Sequence, residues 1–417
     1  MKYLILGASA AGLSAAETIR RYDPTGDITV LSLDRSIYSR CLLPDLLAGR
    51  RNAAAARFVP VDFMERHSIR WVGGVGAEKL LAAERTVISD TGDRFCYDRL
   101  LIATGASPFL PPIDNIRQGR QVYGLRNIED VQSIAGAASG CSSAVVMGGG
   151  LVGVDAAAAL CEKGLSVVIV EVAEHILPLQ LDMRAAVRYQ ELLRSRGVEI
   201  ITGQTVSSIL LDEDQNVTAV RLKGGGTISC GMVVSAAGVR PNISFLEGTA
   251  VEVGRGIRVN RFQQTSLENI YAAGDVCESL ESFSGRISLT PVWPLAVRQG
   301  RVAGANMAGV RQKIINNFAY KNSMHLYGLA SISYGIPEAP DDSYETYIEE
   351  RRGSYKKLII KDGFLRGAIF QGDIAGAGVV GTLISEGVPI TACKENLFDL
   401  NFAHFFNQRE NGEFVFN

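Results

Sequence analysis

Two glycine-rich turns, 141 residues apart, constrain this chain more than any other feature. Gly7-Ala8-Ser9-Ala10-Ala11-Gly12 follows an apolar run at 3–6, and Gly148-Gly149-Gly150-Leu151-Val152-Gly153 follows another at 144–147. Each opens an alanine-rich stretch of helical character. A helix N-terminus carries unpaired N–H groups and a partial positive charge, so it attracts phosphate. In such a strand–turn–helix unit the first glycine permits the tight turn. The second lets a pyrophosphate approach the backbone, and the third lets helix and strand pack closely. Ser9, a small residue, stands at the second position of the first turn. One turn is weak evidence; two point to two dinucleotides on one protein and to electrons passing between them.

The 417 residues are enough for two to four domains, and 47% apolar against 21% charged content can fill several cores. A net charge of −2 implies no general attraction to nucleic acid or membrane. No apolar run reaches the ~18 residues of a spanning helix. The first residues lack the basic region and long apolar stretch of a signal peptide, so a cytoplasmic protein is expected. The seven cysteines (Cys41, Cys96, Cys141, Cys161, Cys230, Cys277 and Cys393) are odd in number, scattered and free of CxxC spacing. With only four histidines, neither a disulfide framework nor a metal site is expected. Cys161, in the helical pattern 156–164, reads as a buried helix residue.

Residues 1–35 read as strand, helix, strand, with Asp34 just past the second strand. An irregular segment and helical pattern occupy 36–64, and short strands fill 69–102. Pro108, Pro111 and Pro112 mark a crossover, because proline interrupts helix and ladder alike. A second βαβ unit spans 144–171 and ends in Glu171. Strand patterns follow near 198–202, 206–222 and 228–236. Another crossover lies at 237–242, then a strand-to-glycine step at 270–275 and a helix over 294–309. From about 318 the pattern becomes that of a separate α+β domain. The expected fold is α/β: two nested, three-layer Rossmann-like dinucleotide domains plus a C-terminal α+β domain. The expected boundaries are 1–108 with 240–317, then 109–239, then 318–417.

Five motifs in this order resemble the pyridine nucleotide–disulfide oxidoreductases in the wide sense: 7–12, Ala103-Thr104-Gly105, 148–153, Ala236-Ala237-Gly238-Val239-Arg240-Pro241 and Ala272-Ala273-Gly274-Asp275. The resemblance covers residues 1–310 and implies FAD on the first domain and NADH or NADPH on the second. It places Gly7, Ser9, Ala10, Ala11 and Gly12 at the FAD pyrophosphate, Thr104 and Gly105 along the FAD side of the crossover, and Gly274 and Asp275 at the ribityl–pyrophosphate region. Ala77 falls where the family contacts adenine. Asp34 falls near the adenosine ribose, although strand alignment puts Ser32 where many members carry the ribose carboxylate. Gly148, Gly150, Leu151, Val152 and Gly153 fall at the second dinucleotide, with Gly238 at the neighbouring crossover. Glu171 lies 23 residues after Gly148, where a carboxylate binds ribose hydroxyls and repels a 2′-phosphate. No Arg or Lys lies between Glu171 and Gln180, so NADH is favoured over NADPH. Asp155 falls where many members carry a glutamate touching the nicotinamide; a helix N-terminal acid favoured by the dipole explains it equally.

The electron acceptor turns on Tyr38-Ser39-Arg40-Cys41-Leu42-Leu43-Pro44 and Leu47-Ala48-Gly49. A lone Cys41 excludes the two-cysteine mechanism of the dithiol reductases. The single-cysteine branch (coenzyme A–disulfide and persulfide reductases, NADH oxidases and peroxidases) has the Cys41-to-Pro44 spacing, but Leu42 replaces its glycine. The branch of rubredoxin reductases and nitrite reductase flavin modules matches Tyr38, Arg40, the aliphatic pair, the Leu-Ala-Gly, and Pro291-Val292-Trp293. It also matches Tyr355-x-Lys357-Leu358-Ile359 and Gly367–Gly372 of the last domain. That branch passes electrons to a small, acidic iron–sulfur or rubredoxin-type protein. Arg35, Arg40, Arg50, Arg51 and Arg57 against Asp45 alone then form a candidate steering patch, or a solvated loop with Arg40 on the FAD phosphates. Cys41 is either a thiolate favoured by Arg40 and a following helix N-terminus, or a small apolar filler. A third reading is an NADH-sensing flavoprotein with slow turnover. Residues 318–417 are expected to dock a partner or form a homodimer.

Overall fold

A computed structural model describes residues 1–390, 397–408 and 414–416. Cys393 lies outside them. The chain divides into two compact units. One comprises Met1–Leu110, Tyr123–Gly136 and Ala237–Ala319; the other comprises Pro111–Val122, Ala137–Ala236 and Tyr320–Asn417.

The first unit is built on a five-stranded sheet in the order Ile270–Ala272, Arg99–Ile102, Lys2–Leu6, Asp27–Ser32, Ile69–Gly73. Every pairing in it is parallel. The strands are apolar runs because both faces are covered. Helices Ala10–Tyr22 and Trp293–Met307 cover one face, sealed by Ile5, Leu13, Ile19, Val30 and Leu101. The other face packs Leu6, Leu31, Leu100 and Ile102 against Leu80 and Val87 of a three-stranded antiparallel sheet. The two helices run close together because a Cβ on Gly300 would sit 2.1 Å from the Ala11 carbonyl oxygen, and one on Gly304 2.6 Å from that of Ala15.

In the second unit a parallel core runs Val198–Ile201, Ser166–Val170, Ser143–Met147, Met232–Ser235. Helices Leu151–Glu162 and Met183–Ser195 pack on it. The same unit holds an antiparallel sheet in the order Lys321–Leu326, Leu329–Gly335, Phe364–Gln371, Ser354–Lys361, Glu345–Arg351, covered by helix Ala377–Glu386. The fold is thus the mixed α/β class with Rossmann-like parallel sheets and a C-terminal antiparallel domain. Among the described residues no helix is long and apolar enough to cross a membrane.

Cys161 corrects one expectation. It lies on helix Leu151–Glu162 but is only half-buried, because it falls in the last turn, where its Sγ reaches the Arg196 carbonyl at 3.0 Å.

Candidate functional site: two dinucleotide turns

Both glycine turns have the same covalent logic. Gly7 and Gly148 adopt φ of +111° and +107°, a region that favours glycine. A Cβ on Gly12 would lie 1.8 Å from the Gly7 carbonyl oxygen, and one on Gly153 1.9 Å from that of Gly148. Each helix is therefore pressed onto its own turn. Neither Ser9 nor Gly150, the two N-caps, supplies a side-chain cap, so the first-turn N–H groups have no side-chain acceptor at the cap. A Cβ on Gly150 would meet nothing within 4 Å. Two uncapped helix starts, one beside open space, fit dinucleotide pyrophosphates.

In the first unit, Asp34 accepts hydrogen bonds from Tyr38 at 2.6 Å and Arg40 at 2.7 Å. Its N–H donates to Ser32 Oγ at 3.2 Å. The Tyr38 hydroxyl also accepts the Ile128 N–H at 3.2 Å. Arg40 is thus aimed by Asp34. Asp275 forms an ion pair with Arg126 at 2.5 Å, and Arg126 Nε donates to the Ala106 carbonyl at 3.0 Å. Sequence reasoning missed Arg126. Its local signal was the reciprocal cap that follows it: Asp130 N–H donates to Asn127 Oδ1 at 2.7 Å, and the Asp130 carboxylate accepts the Asn127 N–H at 3.0 Å.

Thr104 and Gly105 are pinned across the crossover. Thr104 Oγ1 donates to the Asn242 carbonyl and Asn242 Nδ2 returns to the Thr104 carbonyl, both at 2.9 Å; Asn242 N–H meets the Gly105 carbonyl at 3.0 Å. Gly238, at φ +111°, accepts the Phe109 N–H. Gly274 N–H donates to the buried Gln299 at 2.8 Å, which seats Asp275. Ala77 begins strand Ala77–Leu81 after Gly76, whose N–H is held by Asp90 at 3.0 Å. Trp293 opens its helix and meets Phe58 edge-on at 5.0 Å.

At Cys41 the local chemistry weighs against the thiolate alternative. The side chain is exposed, yet its thiol is pushed above its ordinary value, first by desolvation and also by the Asp275 charge. Arg40 is paired with Asp34, and the Ser39 hydrogen bond and the Arg126 charge offset the rise only in part. The helix after Cys41, Leu43–Leu47, is only five residues long. The arginine patch is partly neutralised locally: Arg50 and Arg51 share Asp45 at 2.8 and 3.0 Å. Arg57 donates to the carbonyls of Val59, Pro60 and Val61.

In the second unit, Glu171 is buried and accepts two backbone N–H groups, Gly149 at 2.5 Å and Ala173 at 2.8 Å. The Gly149 carbonyl accepts the Leu177 N–H at 2.8 Å. Both backbone polar groups of the middle residue of the turn, Gly149, are thus held. Leu151 opens the helix, Val152 is exposed, and Asp155 is half-buried one turn on.

The family model described as pyridine nucleotide-disulphide oxidoreductase matches residues 1–300. The chain belongs to this family. Residues 321–388 match the rubredoxin NAD+ reductase C-terminal domain. The chain is similar to the NADH-dependent phenylglyoxylate dehydrogenase subunit epsilon of Aromatoleum evansii, 33% identical over 94% of this chain and 93% of that one. It is also similar to the NADH oxidase of Methanocaldococcus jannaschii, 34% identical over 75% of this chain and 71% of that one. Among solved structures, an NAD-dependent persulfide reductase from A. fulgidus has a TM-score of 0.83 and 27% identity, covering 93% of this chain and 77% of that one. This family member is an oxidoreductase that uses FAD and NADH.

Proposed function

We propose that this protein passes electrons from NADH to a small iron–sulfur or rubredoxin-type protein. The observation that carries this is the match of residues 321–388 to the rubredoxin NAD+ reductase C-terminal domain, joined to a dinucleotide module whose acceptor segment holds the single cysteine Cys41. Bound FAD would supply two-electron chemistry toward NADH and one-electron chemistry toward the acceptor. The residues Gly7, Ser9, Ala10, Ala11, Gly12, Thr104, Gly105, Gly274 and Asp275 would hold FAD. Arg40 and Arg126 would supply positive charge, and Ala77, Asp34 and Trp293 would shape the same pocket. The second dinucleotide would lie on Gly148, Gly150, Leu151, Val152 and Gly153, with Glu171 at its ribose and Gly238 and Asp155 beside it. Expected domain limits are 1–108 with 240–317, 109–239 and 318–417, the last being the docking module. Holding the two rings in contact is mainly a positioning task.

The test is anaerobic reduction of the yellow protein by NADH, then mixing with rubredoxin, ferricyanide, oxygen, coenzyme A disulfide or polysulfide. Fast reoxidation by rubredoxin and ferricyanide, unchanged in Cys41→Ser, is expected. Reoxidation by disulfide or polysulfide that vanishes in Cys41→Ser would instead establish cysteine chemistry. Slow reoxidation by every acceptor would make the protein an NADH sensor.

A further inference from the structure

The Tyr355-x-Lys357 motif has no role in the electron path described so far. Its side chains enter the second unit's interior and converge on Asp182, the N-cap of helix Met183–Ser195. Asp182 accepts the Ala185 N–H at 2.9 Å, the Tyr355 hydroxyl, and the Lys357 ammonium at 3.0 Å. Asp182, Tyr355 and Lys357 are all buried. Lys357 also reaches the exposed carboxylate of Glu338 at 2.6 Å. Two further polar ties join the same helix to the same sheet. Gln371 Nε2 donates to the Ala185 carbonyl at 3.0 Å, and the Tyr189 hydroxyl donates to the Leu329 carbonyl at 3.0 Å and lies 2.9 Å from Ser331 Oγ.

Burying an ammonium and a carboxylate costs free energy that an apolar contact of equal volume does not, so such a pair is weak as a source of stability. What it does supply is one register between helix and sheet. That register matters because the helix holds the loop leading into it. Gln190 accepts the Ile176 N–H at 3.4 Å, and Leu177 carries the N–H that binds the Gly149 carbonyl. Leu177 is fully buried at φ +56°, a conformation that leucine adopts only where its surroundings enforce it. Its carbonyl accepts the N–H groups of Gln180 and Leu181, which lead to Asp182. The Ile176 side chain lies 2.9 Å from where a Gly149 Cβ would be. A continuous run of contacts therefore joins the C-terminal sheet to the middle residue of the second glycine turn.

We propose that Asp182, Tyr355 and Lys357 are positioning residues for the nicotinamide dinucleotide: by fixing helix Met183–Ser195 they set the 176–182 loop, and through it the Gly149 peptide. This rests on the reading that the second turn and Glu171 bind NADH. It gives the C-terminal domain a role in NADH affinity that is separate from acceptor docking.

The experiment replaces the clamp by apolar packing in the FAD-loaded, full-length protein: Asp182→Ser (which keeps an N-cap), Tyr355→Phe and Lys357→Met together. NAD+ and NADH dissociation constants, FAD content and thermal midpoint are read in parallel. The expected result is an NADH dissociation constant raised about tenfold with FAD content unchanged, the size of coupling such a network carries. A dissociation constant within about twofold of the parent, whatever the midpoint does, overturns the proposal. Should the triple variant not fold, Tyr355→Phe alone removes one hydroxyl, and its expected threefold or so weakening of NADH carries the same decision. Glu171→Gln is measured beside them. If it leaves NADH binding unchanged, the underlying site reading falls; if it weakens binding while the clamp variants do not, the clamp alone falls.

Discussion

The two glycine turns share a backbone and differ in what supports them. In the first, the helix after the turn is gripped from outside: Gly300 and Gly304 bring Trp293–Met307 onto the carbonyls of Ala11 and Ala15. Its strand-end acid, Asp34, makes its contacts with side chains, Tyr38 and Arg40. In the second, the support is the loop after the strand. Glu171 and Leu177 hold the N–H and C=O of one residue, Gly149. The first turn is fixed by a neighbouring helix, which suits a group that stays bound. The second is fixed by a loop whose own position depends on elements further along the chain, which suits a ligand that comes and goes.

The largest effects should come from the position the turns share. Gly12→Ala puts a Cβ 1.8 Å from a backbone oxygen, and Gly153→Ala does so at 1.9 Å. The first variant is expected to be purified colourless. The second should stay yellow while its reduction by NADH slows about a hundredfold, the loss a misplacement of around 1 Å brings. Visible spectra and stopped-flow reduction check both; a yellow Gly12→Ala protein would break the assignment of FAD to the first turn.

Gly300→Ala attacks only the first turn's outside support. Overpacking against the Ala11 carbonyl should cost about 1–3 kcal/mol and lower FAD retention, with NAD+ affinity unchanged. Thermal unfolding with FAD release as the signal measures it. Glu171→Gln is the matching test of the second turn. An amide NH2 must face one of two backbone N–H groups, so a loss of about 1.5–3 kcal/mol is expected, with weaker NADH binding and intact FAD. Isothermal titration with NAD+ reads this, and equal loss of both cofactors would show that the turns are not independent.

Smaller effects sharpen the contrast. Gly150→Ser copies Ser9 into the second turn, where a Cβ meets nothing within 4 Å. Stability should change by no more than about 0.5 kcal/mol by denaturant titration, with only the NADH KM rising. The smallest effect concerns pH at Cys41. Its folded pKa is raised, so the thiolate is scarce at neutral pH and grows only above the range of an ordinary thiol. Iodoacetamide alkylation of Cys41 should lag a free cysteine peptide at neutral pH and gain on it only as the pH rises beyond the peptide's own titration. Faster alkylation than the peptide at pH 7 would favour the thiolate reading.

Both glycine turns and the strands before them were legible in the sequence, because a positive φ and a sub-2 Å approach leave glycine almost no substitute and depend on residues a few positions apart. The acids that end the strands were legible as positions. Their partners were less so. Asp34 and Arg40 are six residues apart in an irregular segment, where no periodicity says which side chains face each other. Arg126 and Asp275 are separated by 149 residues, and Asp182 and Tyr355 by 173. The sequence by itself determined the family, the two Rossmann-like sheets and the two glycine turns that open their helices, since all of these rest on local backbone geometry. Tertiary structure alone decided which charges neutralise one another, that the Cys41 thiol is raised, and what holds Gly149. Those depend on desolvation and on distances that exist only once remote segments pack together.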